Sequence, residues 1–202
     1  MTINDYIIIE RCATPELVAR MKEQPKPAYL FDRPSRWWLG RLWHRLWHGE
    51  PVKVPANLNH LTYGDLIDLQ KSSDIRDFIL TACRVVLGVD DQRRVFSEKA
   101  EPMVGFANWV ASELKRIDAL FRSIERPFTP EQLQAGYGSL NFGEFGTLDW
   151  YAKRMGIVNH DYVLTVGWSV LYQVKRNDAK LAECEERHAK IMQAKNERRW
   201  RK

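Results

Sequence analysis

The chain has 202 residues, 45% hydrophobic and 28% charged, which supplies a real core and excludes disordered, fibrous and low-complexity classes. Its 31 Lys and Arg against 26 Asp and Glu give a formal charge of +5, too mild for a nucleic-acid grip by the whole protein. Three cysteines far apart, Cys12, Cys83 and Cys184, exclude a disulfide framework and fit a reducing compartment, each serving as a small hydrophobe.

The opening Met-Thr-Ile-Asn-Asp has no basic region, no apolar run of sufficient length and no cleavage site, so a signal peptide is not expected. No window approaches the roughly 18 apolar residues of a membrane span, and a soluble, cytoplasmic protein (host cytoplasm if viral) is the expectation.

In chain order, residues 1–23 form an N-terminal element: a β-prone run Tyr6-Ile7-Ile8-Ile9, then Thr14-Pro15-Glu16 starting a helix to about Lys22. Residues 24–57 carry Pro25, Pro27, Pro34, Pro51 and Pro55, which forbid a long helix or a central strand. This zone is expected to be a Pro- and Trp-rich arm or linker.

From residue 58 the pattern is helical, and 58–202 is expected to form one helical domain. Thr62 can cap a helix to Gln70 with Asp65 at its third position and Leu61 and Leu66 as a hydrophobic staple. Ser72-Ser73-Asp74 offers the next cap, with Ile75, Phe78, Ile79, Ala82 and Val86 on one face and Gly88 as the stop. Residues 101–125 form the clearest amphipathic helix, with Phe106, Trp109, Val110, Leu114, Ile117, Leu120, Phe121 and Ile124 at three- and four-residue steps. Thr129-Pro130-Glu131 caps a short helix, Leu148 to Met155 reads as a helix closed by Gly156, and Asn159-His160-Asp161 opens a further turn. A long last helix runs from Trp168, apolar at Val170, Leu171 and Val174. It then turns charged, with a single stripe of Leu181, Cys184, His188 and Ile191. The fold class is therefore all-α: a compact helical domain with a long C-terminal helix, preceded by a short element and an arm.

The densest feature is the segment from Arg36 to His48. As a helix it places Trp38, Leu39, Leu42, Trp43, Leu46 and Trp47 on one face and Arg36, Arg41, His44, Arg45 and His48 on the other. Trp and Arg are enriched in interface hot spots, so Arg36, Trp37, Trp38, Arg41, Leu42, Trp43, Arg45, Leu46 and Trp47 are the expected partner-binding residues. A cationic Trp helix also suits a membrane interface or, less well, nucleic acid, and a peripheral membrane- or nucleic-acid-associated protein is the alternative. The basic tail Lys195 to Lys202 fits a helix dipole better than a phosphate-binding role.

His44 with His48, and Cys184 with His188, have the four-residue spacing of two metal ligands on one helical face, but spacing alone shows no convergence, and no metal is expected. Neither a nucleophile elbow, a phosphate loop, a zinc-protease helix nor a dinucleotide fingerprint is present. Gly136-Tyr-Gly138 lacks a later glycine, and Gly143-Glu-Phe-Gly146 lacks the Lys-Ser/Thr of a phosphate loop. No catalytic residue and no cofactor are expected.

Three blocks resemble the tail assembly chaperone group of tailed bacteriophages. They are Leu61-Thr-Tyr-Gly-Asp-Leu-Ile-Asp-Leu-Gln70, Phe142-Gly-Glu-Phe-Gly-Thr-Leu-Asp-Trp-Tyr-Ala-Lys-Arg-Met-Gly156, and Asn159-His-Asp-Tyr-Val-Leu through Trp168-Ser-Val-Leu-Tyr172. The resemblance spans Leu58 to Ile191, about two thirds of the chain, and leaves out the Trp-rich segment. It implies a small helical protein that keeps a tape-measure protein soluble while tail-tube subunits assemble. The implied partners are a tape-measure or tail-tube protein, with self-association also open.

Overall fold

The structure is a computed structural model that describes residues 2–10, 23–32 and 50–200. It is mostly helical, 69% helix and 5% strand, with nine helices among the described residues. The elements are α1 (Ile3–Glu10), β1 (Tyr29–Leu30), β2 (Val52–Lys53), α2 (Tyr63–Lys71), α3 (Ile75–Leu87), α4 (Gln92–Ser97) and α5 (Ala100–Ser123). After α5 come α6 (Pro130–Gln134), a 3-10 turn (Tyr137–Ser139), α7 (Gly143–Met155), α8 (His160–Leu164) and α9 (Trp168–Trp200). The chain divides into two compact units, Met1–Arg116 and Ile117–Lys202. The boundary between the two units falls within α5.

The expected strand at Tyr6 to Ile9 is instead α1. Thr2 and Asp5 exchange the hydrogen bonds of a capping box, the Asp5 N–H to Thr2 Oγ1 at 3.2 Å and the Thr2 N–H to Asp5 Oδ2 at 2.9 Å. That start, together with burial of Ile3 and Tyr6 one turn apart, outweighs the β preference of the isoleucines. The Ile3 N–H donates to the Glu98 carbonyl at 2.9 Å and ties α1 to the chain just before α5. The helix expected after Thr14 lies outside the described residues.

Of the segment 24–57, the described residues 24–30 and 50–57 run largely without helix, as their prolines demand. They pack into the first unit. Tyr29 pairs with Lys53 and Leu30 with Val52, antiparallel, and the Val54 N–H donates to Ala28 at 3.0 Å. Leu30, Phe31 and Val54 are buried. The Lys26 ammonium sits 3.9 Å over the Trp109 ring and donates to the Pro55 and Ala56 carbonyls. Proline excludes helix and ladder donors, but it does not prevent an extended strand from lying across a helix.

The caps read from sequence are in place. Thr62 and Asp65 form a capping box, Asp74 caps α3, and Gly88 closes it in the left-handed region. Leu61 and Leu66 are both buried, as a staple requires. The short α4 has no periodicity to announce it; Asp91 caps it by accepting from the Arg93 and Arg94 N–H groups. Around these elements Leu58, Leu69, Ile79, Val95, Met103 and Phe106 are fully buried. Cys83 lies in this core with its Sγ 3.8 Å from Met103 Sδ, and burial, reinforced by Glu98, pushes its thiol up to about 12.

Glu113 on α5 joins two segments of this unit. It accepts from Arg116 at 2.8 Å and from the Leu58 N–H at 3.4 Å, and the Arg116 hydrogen bond first of all holds its carboxyl below the ordinary range. A carboxyl depressed in the folded state stabilises it fully above the unfolded value of about 4.3, and the gain fades as pH falls through the lower folded value. Glu113→Gln is expected to cost about 0.5–1 kcal/mol near neutral pH after solvent screening, and nothing once both forms are protonated. Urea melts of the two proteins at pH 7 and pH 3 check this; an equal difference at both pH values would contradict it.

In the second unit, Tyr151, Ala152, Val163, Trp168 and Leu171 are buried. Phe121 meets the edge of Tyr172 at 5.6 Å and lies 6.3 Å from Trp168. Helix α7 starts five residues before the expected Leu148, because the Asn141 side chain accepts the Gly143 N–H at 2.9 Å. Asn159 caps α8, and the His160 imidazole lies 3.3 Å from Asp149, joining α8 to α7.

Candidate protein-binding surface

The expected partner-binding residues Arg36, Trp37, Trp38, Arg41, Leu42, Trp43, Arg45, Leu46 and Trp47 lie outside the described residues, as do His44 and His48. What the structure does place is the pair of chain ends on either side of them. The β1–β2 pairing brings the two ends together, and Arg94 spans both, its guanidinium 4.6 Å over the Phe31 ring and its Nη2 donating to the Glu50 carbonyl. Phe31 adopts φ 61°, a left-handed conformation that costs a phenylalanine about 1–2 kcal/mol. Its buried ring holds it there.

The second unit presents a different apolar surface. Six large side chains within residues 128–145 are exposed over about half of their surface or more: Phe128, Leu133, Tyr137, Leu140, Phe142 and Phe145, with Phe142 the extreme at 69%. Local chemistry fixes them there. Thr129 and Gln132 form a capping box with Pro130 in the first turn, so α6 starts directly after Phe128. Gly136 turns the chain at φ 87°, and Phe128 meets Tyr137 edge-on at 6.2 Å. Gly146 lets Phe142 lie against α7, since a Cβ there would stand 2.8 Å from the Phe142 Cβ. Phe145 stacks on the His160 ring at 5.3 Å.

Phe128, Leu140, Phe142 and Trp150 line a groove of about 650 Å³ with Ile124, Ala179 and Ala182. The two alanines of α9 leave the width. Rim charges are paired with one another or nearby: Lys175 with Glu125 at 3.8 Å, Asp178 with Arg154 at 3.2 Å, and Arg126 with Glu186 at 3.5 Å. A groove with a self-neutralised rim offers apolar area rather than a charged anchor. Sequence reasoning missed it, because Phe and Leu in a Gly-rich connection carry no periodicity; the signal was their number in a stretch too irregular to bury them.

A neighbouring cavity of about 730 Å³, lined by Arg126, Arg176, Lys180, Glu125, Glu183 and Glu186, mixes both signs of charge. Lys190 holds the Glu186 carboxyl below its usual range, and Lys153, then His160, do the same for Asp149. On α9 Cys184 is exposed rather than packed as a small hydrophobe, because residues 181–200 are exposed on every side. Among the described residues no three His, Cys, Asp or Glu of the chain are placed to hold a metal, and no helix is long and apolar enough to cross a membrane.

Comparison with family models, with curated proteins and with solved structures gives no match.

Proposed function

We propose that this chain is a non-enzymatic assembly factor that binds another polypeptide, and that its setting is the morphogenesis of a phage tail with a tape-measure or tail-tube protein as partner. The observation that carries the binding reading is the exposed apolar set at 128–145 around the groove of Phe128, Leu140, Phe142 and Trp150. Soluble monomers rarely leave such a patch uncovered. Its paired rim charges favour the apolar face of a partner helix, which docks by side chains one turn apart. The setting rests on the resemblance over 58–191. The tryptophans and arginines of 36–47 would supply a second contact.

Co-expression with each tail-tube and tape-measure protein encoded beside this chain, followed by native mass spectrometry, tests the proposal. A defined complex is expected, lost in Phe128→Ser/Phe142→Ser and weakened when residues 33–48 are replaced by a short Gly-Ser linker. Both variants should keep their helical circular dichroism and melting transition, since Phe128 and Phe142 are exposed and the flanks of 33–48 are held together by β1, β2 and Arg94. A chain that stays alone beside every such protein, or that binds anionic vesicles through 36–48 instead, overturns it.

A further inference from the structure

Residues 181–200 of α9 are exposed, and the contacts described there with the rest of the unit, Ala182 at the groove and Glu186 with Arg126 at 3.5 Å among them, use side chains other than Leu181, Cys184, His188 and Ile191. At 1.5 Å per residue that exposed portion is about 30 Å long. Most helical stability in proteins comes from packing of an apolar face, and the exposed ion pairs here, Arg187–Glu183 at 3.5 Å and Lys190–Glu186 at 2.7 Å, add little. One stripe on it is not charged: Leu181, Cys184, His188 and Ile191, with steps of three, four and three. Leu181 and Ile191 are more than half exposed. Those steps are the a and d positions of a heptad, with Leu181 and His188 at a and Cys184 and Ile191 at d.

We propose that a second copy of this chain covers the stripe, parallel and in register, and that Cys184 and His188 of the two helices together make a tetrahedral Cys2His2 site for Zn2+. The charges beside the stripe choose both the partner and its direction. In the parallel pair Lys180, at g, faces Glu185 of the second copy, at e, twice by symmetry, and Arg187 faces the uncharged Met192. The antiparallel pair centred on the same stripe sets Arg187 against Arg187 and Glu185 against Glu185. Like charges reject that arrangement.

In the parallel pair Cys184 faces Cys184 and His188 faces His188 one turn on. Two thiolates and two neutral imidazoles neutralise the metal ion completely, the set zinc takes in structural sites. Each thiol releases a proton on binding, so affinity rises with pH. Leu181 and Ile191 alone are too few apolar layers to hold two chains together, and the metal supplies the difference. Arg187 now lies 3.5 Å from Cys184 Sγ and beside Glu183; it remains with Glu183 when the thiolate takes the metal. This inference stands apart from the proposed function, since it uses neither the groove nor a foreign partner.

The test uses the reduced full chain stripped of metal. Sedimentation velocity is expected to show a monomer that becomes a dimer with Zn2+ and reverts with EDTA. Titration with Co2+ is expected to give the visible bands of a tetrahedral thiolate site, saturating at one ion per two chains. Cys184→Ser should abolish both effects, and His188→Ala should weaken cobalt binding at least 100-fold. Glu185→Lys should weaken the dimer without removing a ligand, and Lys180→Glu with Glu185→Lys should restore it. A chain that stays monomeric with zinc overturns the proposal. So do a dimer indifferent to Cys184→Ser, saturation at one cobalt per chain, and a failed charge-swap rescue.

Discussion

Gly105→Ala is expected to destabilise the protein by about 3 kcal/mol, although a helix-propensity argument predicts the opposite sign. Glycine inside a helix normally costs about 1 kcal/mol against alanine, so a substitution in the middle of α5 would be stabilising on local grounds. The tertiary contact decides otherwise. A Cβ at Gly105 would stand 2.3 Å from the Pro25 carbonyl oxygen and 3.2 Å from its carbon, both backbone atoms that cannot swing aside. Pro25 cannot retreat cheaply, because the next residue, Lys26, is fixed by the Pro55 and Ala56 carbonyls and by the Trp109 ring. Overpacking of this kind costs roughly 1–3 kcal/mol when side chains can adjust, and the upper end applies where only backbone can move. For a unit of this size the melting temperature should fall by roughly 15 °C. Gly88→Ala is the control: it has open space and only a left-handed φ of 66°, so about 1 kcal/mol is expected. Thermal melts of the three proteins check both numbers. A Gly105→Ala protein as stable as the parent would mean that the segment at 24–27 does not lie on α5.

The same segment shows where reading the sequence stops. Helices with a cap and a period were legible from local chemistry alone: Thr62 with Asp65, Asp74 with Gly88, Thr129 with Pro130, and Asn159. Each rule involved acts within four residues. The course of 24–32 and 50–57 was not legible, because Tyr29 finds Lys53 and Pro25 finds Gly105 across 24 and 80 positions of sequence. Proline announces only what the backbone cannot do. At α1 two local signals compete: Thr2 and Asp5 spell a capping box, whereas three consecutive isoleucines favour a strand. The apolar groove stayed hidden because it is built from connections, and the stripe on α9 was visible because it is built on a single helix. A local period reveals a face; what covers that face is a tertiary matter.

Trp168→Ala should cost the second unit about 3–5 kcal/mol, the range for removing a buried aromatic. Trp168 is 3% exposed and opens α9 between Val163 and Leu171, both fully buried, with Phe121 at 6.3 Å. Few other large side chains are fully buried in this unit, so collapse around the vacated volume has little to draw on. Hydrogen exchange should show loss of protection concentrated in α7, α8 and the first turns of α9. Trp168→Phe should restore most of it. Phe142→Ser removes an aromatic of similar size at 69% exposure and is expected to stay within about 0.5 kcal/mol of the parent. The pair separates two uses of the same kind of residue in one unit. An aromatic that holds the fold shows itself in exchange and melting, whereas one kept for a partner shows itself only when the partner is present. If Phe142→Ser proved as destabilising as Trp168→Ala, the ring would belong to the core and the groove would lose its standing as a binding surface.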